Sequence, residues 1–155
     1  MRSYPPNSPK AAARIVALVL ISDGHVSRAE YEALNRLDGA RDLGLDPQDM
    51  PGIVQTLCED LLMEGFDGRS ILSHIGDGFM VALLSEVDDP QLQSKVLRLA
   101  AAVVNADKHL SDGETVMIDA ISRHWQTCSP TAVGNVVATT RAGLSHPELA
   151  RAGSF

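Results

Sequence analysis

Displaced by 84 positions, residues 13–37 superpose on residues 97–121, matching Arg14 with Arg98, Ala17 with Ala101, Val19 with Val103 and Asp23 with Asp107. The register continues through His25/His109, Ser27/Ser111 and Glu30/Glu114. The shared word is Asp-x-His-[Val/Leu]-Ser-x-x-Glu, and in both copies it follows an apolar, Ala-rich stretch and precedes an amphipathic one. An internal duplication of this kind makes each copy one supersecondary unit and sets the architecture. Here the unit is a helix–turn–helix. Asp23 or Asp107 ends the first helix, Val26 or Leu110 plugs the turn against the core, and Ser27 or Ser111 caps the second helix. Glu30 or Glu114 then stands at the third helical position, where its carboxylate reaches back to the serine N–H and completes a capping box. Capping explains Ser and Glu, at about 1 kcal/mol per cap. It does not explain the paired Asp, which places negative charge at the unfavourable end of a helix dipole twice.

Helix signals recur elsewhere, and no sustained apolar/polar alternation marks a strand. Ser8-Pro9 opens a helix to about Ser22 whose apolar residues point in all directions, which places it centrally. A second helix spans 28–41, with Tyr31, Leu34 and Leu37 on one side. A third starts near Pro51 and ends before Gly65. Between Asp67 and Val87 the pairs Asp67-Gly68 and Asp77-Gly78 leave open one interrupted helix or two short ones. Asp89-Pro90 opens a second central helix to about Ala106, Ser111 starts another toward Trp125, and Ser129-Pro130 a shorter one to about Thr140. The expectation is an all-α, single-domain bundle of seven to eight helices over 1–142, with pseudo-symmetric repeats at 11–41 and 90–126 and a loosely ordered tail at 143–155.

At 155 residues the chain is long enough to bury a core without disulfides. Its net charge of -7 and 4% aromatic content supply neither a phosphate-binding stripe nor a stacking surface, which argues against nucleic acid. The apolar run 15–21 resembles a signal segment, but Arg14 abuts it, Asp23 ends it and no cleavage site follows. It is also shorter than the roughly 20 residues that span a bilayer. A cytoplasmic protein without membrane insertion is expected. Cys58 and Cys128 lack paired-ligand spacing, and Cys58 reads as a buried free thiol. Met63, Met80 and Met117 read as core filling, Glu59-Asp60 as a solvated helix face, and Asp88-Asp89 as a cap. His74, His124 and His146 have no partner at a readable spacing.

The chemistry lies in the turns. Carboxylates seven residues apart across a tight helix–helix turn can face one pocket, which is how a hard divalent cation gathers oxygen ligands. The fragment from Asp23 to Glu30 resembles the second half of an EF-hand loop, but Val19 and Ile21, then Val103 and Asn105, stand where that loop needs its first oxygens. The word more closely resembles the TerB-like family, helical domains named for tellurite resistance whose repeats carry an Asp-Gly-x-[apolar]-Ser-x-x-Glu turn after an Ala-rich helix. The resemblance covers about residues 11 to 126, and Lys108 departs from it by replacing the glycine. It implies that Asp23, Glu30, Asp107 and Glu114 form an acidic, divalent-metal-binding face for calcium, magnesium or zinc. It also implies a protein partner, within a stress-response or membrane-associated assembly. His25 and His109 are secondary candidates, since imidazole beside carboxylate suits a borderline metal.

No nucleophile, P-loop, HExxH or dinucleotide motif is present, so no enzymatic activity is expected. Metal-assisted hydrolysis at Asp23, His25 and Glu30 would need an open coordination position and a substrate pocket. The alternative to cation binding is a protein-interaction scaffold with purely structural turns, whose partner surface lies in the groove between repeats or along 45–88. Oligomeric state is not legible.

Overall fold

The computed structural model describes residues 1–22, 24, 27–65, 71, 78–107 and 112–128, without the side chains of Asp107 and Cys128. All regular structure among them is helical: α1 (Pro9–Leu20), α2 (Arg28–Arg36), α3 (Gly39–Asp42), α4 (Met50–Met63), α5 (Gly78–Ser85), α6 (Pro90–Val104) and α7 (Asp112–Cys128). Single 3-10 turns at Pro47–Asp49 and Asn105–Asp107 lead into α4 and out of α6. The expected helix at 129–140 and the tail at 143–155 lie outside the described residues.

The Ser8 hydroxyl accepts the Ala11 N–H at 3.2 Å, and Pro9, which has no N–H to satisfy, opens α1. Every residue from Ala11 to Leu20 is buried, as expected for a helix apolar on all sides. Burying a side chain such as Ile15, Leu18 or Leu20 contributes about 1.5–3 kcal/mol, so this helix anchors the molecule. It packs chiefly on α6 and α4 and also meets α5 and α7. One hydrophobic cluster runs through all seven helices.

α6 begins as expected: the Asp89 carboxylate accepts the Gln91 N–H at 2.9 Å and Pro90 occupies the first turn. It is not the second enclosed helix, however. Val96, Leu99, Ala100, Val103 and Val104 are buried, while Leu97 is half-buried and Ala102 exposed. Gln91, Ser94, Lys95 and Arg98 hold the other face in water, and Arg98 pairs with Asp42 at 3.1 Å.

The expected helix at 28–41 is two. α2 stops at Arg36, Asp38 takes a left-handed conformation with φ 52°, and α3 restarts at Gly39. The break lets Gly39 sit against the core, where a Cβ would lie 2.7 Å from Leu34 Cδ1 and 2.8 Å from Leu99 Cδ1. Leu37 therefore falls past the end of α2 and is 49% exposed, whereas Leu34 is buried.

α4 starts and stops where the turn residues place it, with Gly65 at φ 86° after its end. Its inward stripe is Met50, Ile53, Leu57, Asp60 and Leu61. Cys58 lies off that stripe and is exposed, not buried. Met63 is likewise off it and 80% exposed, while Met80 and Met117 do fill the core. Asp60, read as solvated, is 2% exposed. Of the 67–87 stretch, the described helix is the short α5. The Trp125 indole N–H on α7 donates to the Leu84 carbonyl at 3.2 Å and ties the two together. No helix among the described residues is long and apolar enough to cross a membrane.

Candidate cation site at the two turns

Of the first turn, Gly24 and the cap at Ser27 lie within the described residues, while Asp23, His25 and Val26, the residue expected to plug the turn, lie outside them. Gly24 has φ 84°, a conformation that side chains with a Cβ resist, and its N–H donates to the Ile21 carbonyl at 2.9 Å. Ser27 then caps α2: its hydroxyl accepts the Glu30 N–H at 3.1 Å, and the Glu30 carboxylate accepts the Ser27 N–H at 2.8 Å. The capping box is complete. In the second copy Ser111 lies outside the described residues, and α7 opens at Asp112 with Glu114 in its first turn.

The two glutamates do more than cap. Glu30 is 3% and Glu114 1% exposed, and the two lie close enough for Glu114 to raise the pKa of Glu30. Residues 84 positions apart in the chain, at equivalent places in the two copies, thus meet in the interior. Burial first, then the neighbouring Glu114 carboxyl group, raise the Glu30 pKa to about 7, against the opposing pull of its bonds with Ser27. Glu30 can hold its proton near neutrality, and a cation could take that proton's place.

The surroundings converge as well. α2 packs on the 3-10 turn Asn105–Asp107, so the backbone that carries Asp107 lies beside the helix that carries Glu30. The Asp107 side chain lies outside the described residues, as do Asp23, His25 and His109. Among the described residues, no group of three or more His, Cys, Asp or Glu side chains is placed to hold a metal ion. Two buried carboxyl groups are hard oxygen donors of the type calcium and magnesium select, and such ions need further oxygens to complete six or more positions.

Sequence reasoning missed a second buried polar cluster. Arg14 on α1 is fully enclosed, pairs with Glu86 at the α5–α6 connection, and lies 3.9 Å from Asp60 on α4. The signal was present: a lone arginine inside a helix apolar on every face has to be buried, and a buried charge requires counter-charges. Its repeat mate Arg98 is exposed, so that matched pair shares a position without sharing a role. Comparison with protein-family models, with curated proteins and with solved structures gives no match.

Proposed function

We propose that the chain is a non-enzymatic, TerB-like module that binds a divalent cation where its two acidic turns converge. The observation that carries the proposal is the burial of Glu30 and Glu114, from equivalent places in the two copies, close enough for one to raise the pKa of the other. Glu30 and Glu114 would supply the inner oxygens, and Asp23 and Asp107 the remaining carboxylates, with His25 and His109 as the second choice. The packing supports a pseudo-symmetric pair of helix–turn–helix units: α2 lies on α6 and α7 lies on α1, the exchanged relation that a two-fold axis would generate. The resemblance of the turn word to the TerB-like family points the same way, and from it come the stress-response setting and the protein partner, while the cytoplasmic location rests on the sequence features of residues 15–21.

Thermal unfolding with calcium, magnesium, manganese or zinc tests the reading at pH 8, where Glu30 has lost its proton. A cation at a hundred times its dissociation constant adds about 2.7 kcal/mol, and Glu30→Gln/Glu114→Gln removes that gain. No shift with any of the four ions, or a shift that survives the double substitution, overturns it.

The capping box favours a second reading, since it gives Glu30 a purely structural task. In that reading the chain is an interaction scaffold whose partner surface lies in the 45–88 stretch, where Leu62 and Met63 stand 66% and 80% exposed. Partner capture that survives loss of Asp23, Glu30, Asp107 and Glu114 but fails after Leu62→Ser/Met63→Ser would select it.

A further inference from the structure

The cluster around Arg14 grips the first seven residues through their main chain. Asp60 accepts the Arg2 N–H at 3.0 Å, the Arg14 guanidinium donates to the Arg2 carbonyl at 2.6 Å, and Glu86 accepts the Tyr4 N–H at 3.1 Å. Three backbone groups within three residues are thus read by three buried side chains. Side chains add to this: the Tyr4 ring lies 4.8 Å from the centre of the guanidinium, and the Ser3 hydroxyl donates to Glu86 at 3.1 Å. A final anchor is Asn7, whose side-chain oxygen accepts the Asp88 and Asp89 N–H groups at 2.9 and 3.0 Å.

The two sides of this contact are unequal. Residues 1–7 have no helix or strand, and all but the half-buried Tyr4 are exposed, so little apolar area holds them. The cleft, in contrast, contains Arg14 at 0%, Asp60 at 2% and Glu86 at 8% exposure. Buried polar groups are costly when their partners leave, so an emptied cleft strongly favours refilling. What refills it must offer an N–H, a carbonyl and a second N–H in the same order, and sequence matters at the aromatic position and at the hydroxyl just before it.

We infer that the cleft of Arg14, Asp60 and Glu86 is a peptide-binding site, occupied in cis by residues 1–7, that accepts in their place a segment of a partner protein with an aromatic residue at the position of Tyr4. The N-terminal segment is its competitor, and affinity for the partner is lowered by the fraction of molecules in which the cleft is already filled. This site is separate from the two acidic turns and does not depend on the cation reading.

The test uses the full chain and a fluorescein-labelled peptide of residues 1–7. Tyr4→Ala/Asn7→Ala loosens the cis segment while leaving the cleft intact, and fluorescence anisotropy is expected to show the peptide binding this variant at least tenfold more tightly than wild type. The same peptide N-methylated at its tyrosine keeps the ring but loses the donor to Glu86, and should bind at least tenfold more weakly. A folded variant that binds no peptide, or one indifferent to N-methylation, overturns the proposal. Hydrogen exchange on the wild type reads the same equilibrium without any substitution: the Arg2 and Tyr4 amides should exchange at least a hundredfold faster than those of α1, through local opening. Protection equal to that of α1 would mean that the segment never leaves, and would equally overturn it.

Discussion

Glu30 keeps its proton to a pH of about 7 in the folded chain, against an ordinary value of 4.5, and this fixes the sign of its effect on stability. Between those values the native state holds a proton that the unfolded chain has released, so stability falls as pH rises through the window and the penalty is complete above 7. The loss between pH 5 and pH 8 is about 3 kcal/mol, measurable by urea unfolding at the two pH values. Glu30→Gln should flatten that dependence while retaining the cap, because glutamine also closes a capping box. If the proposed cation site exists, an ion there would displace the same proton, and cation-induced stabilisation should be larger at pH 8 than at pH 5. Arg14 offers the contrasting case. Arg14→Met removes the partner of two buried carboxylates and should cost about 3–5 kcal/mol, read as a lowered urea midpoint. Adding Asp60→Asn and Glu86→Gln to it should recover part of that loss. The capping role of Glu30 was legible from the serine three residues before it. Its meeting with Glu114 was not, because local spacing carries no information about which distant side chain shares an enclosed space.

At the scale of elements, helix starts were read well and helix ends less so. Ser8-Pro9 and Asp89-Pro90 mark beginnings through side chains that satisfy N–H groups close by in the sequence, and the Pro51 turn marks one through proline in the first turn, without a side-chain cap. The break between α2 and α3 has no such marker, since Leu37-Asp38-Gly39 continues a passable helical pattern. It exists because Gly39 lets the chain close on Leu34 and Leu99, a tertiary demand. Gly39→Ala should therefore destabilise by about 1–3 kcal/mol through overpacking, where alanine in an exposed helix would stabilise. Urea unfolding of this variant distinguishes the two by sign. The exposure of Cys58 and Met63 has the same origin, for apolar residue types off the inward stripe of α4 are left in solvent once Ile53, Leu57 and Leu61 face α1.

For the whole molecule, the arrangement places one fully enclosed helix where it contacts α4, α5, α6 and α7 together. Damage to it cannot stay local. Leu18→Ala should cost about 2–5 kcal/mol, and far-ultraviolet circular dichroism and Trp125 fluorescence should fall in one coincident transition, because Trp125 on α7 belongs to the same cluster as Leu18. Two separate transitions would show that α7 unfolds independently of α1. By itself the sequence determined the helical class, the central position of α1 and the chemistry of the first turn, since each follows from periodicity and from side chains bonding to backbone within a few residues. Only the tertiary structure decided that Glu30 lies against Glu114, that Arg14 is enclosed while Arg98 is not, and that the first seven residues fill a charged cleft. Those outcomes depend on which faces of distant helices share a space with little water, where the energies of charge and burial are set.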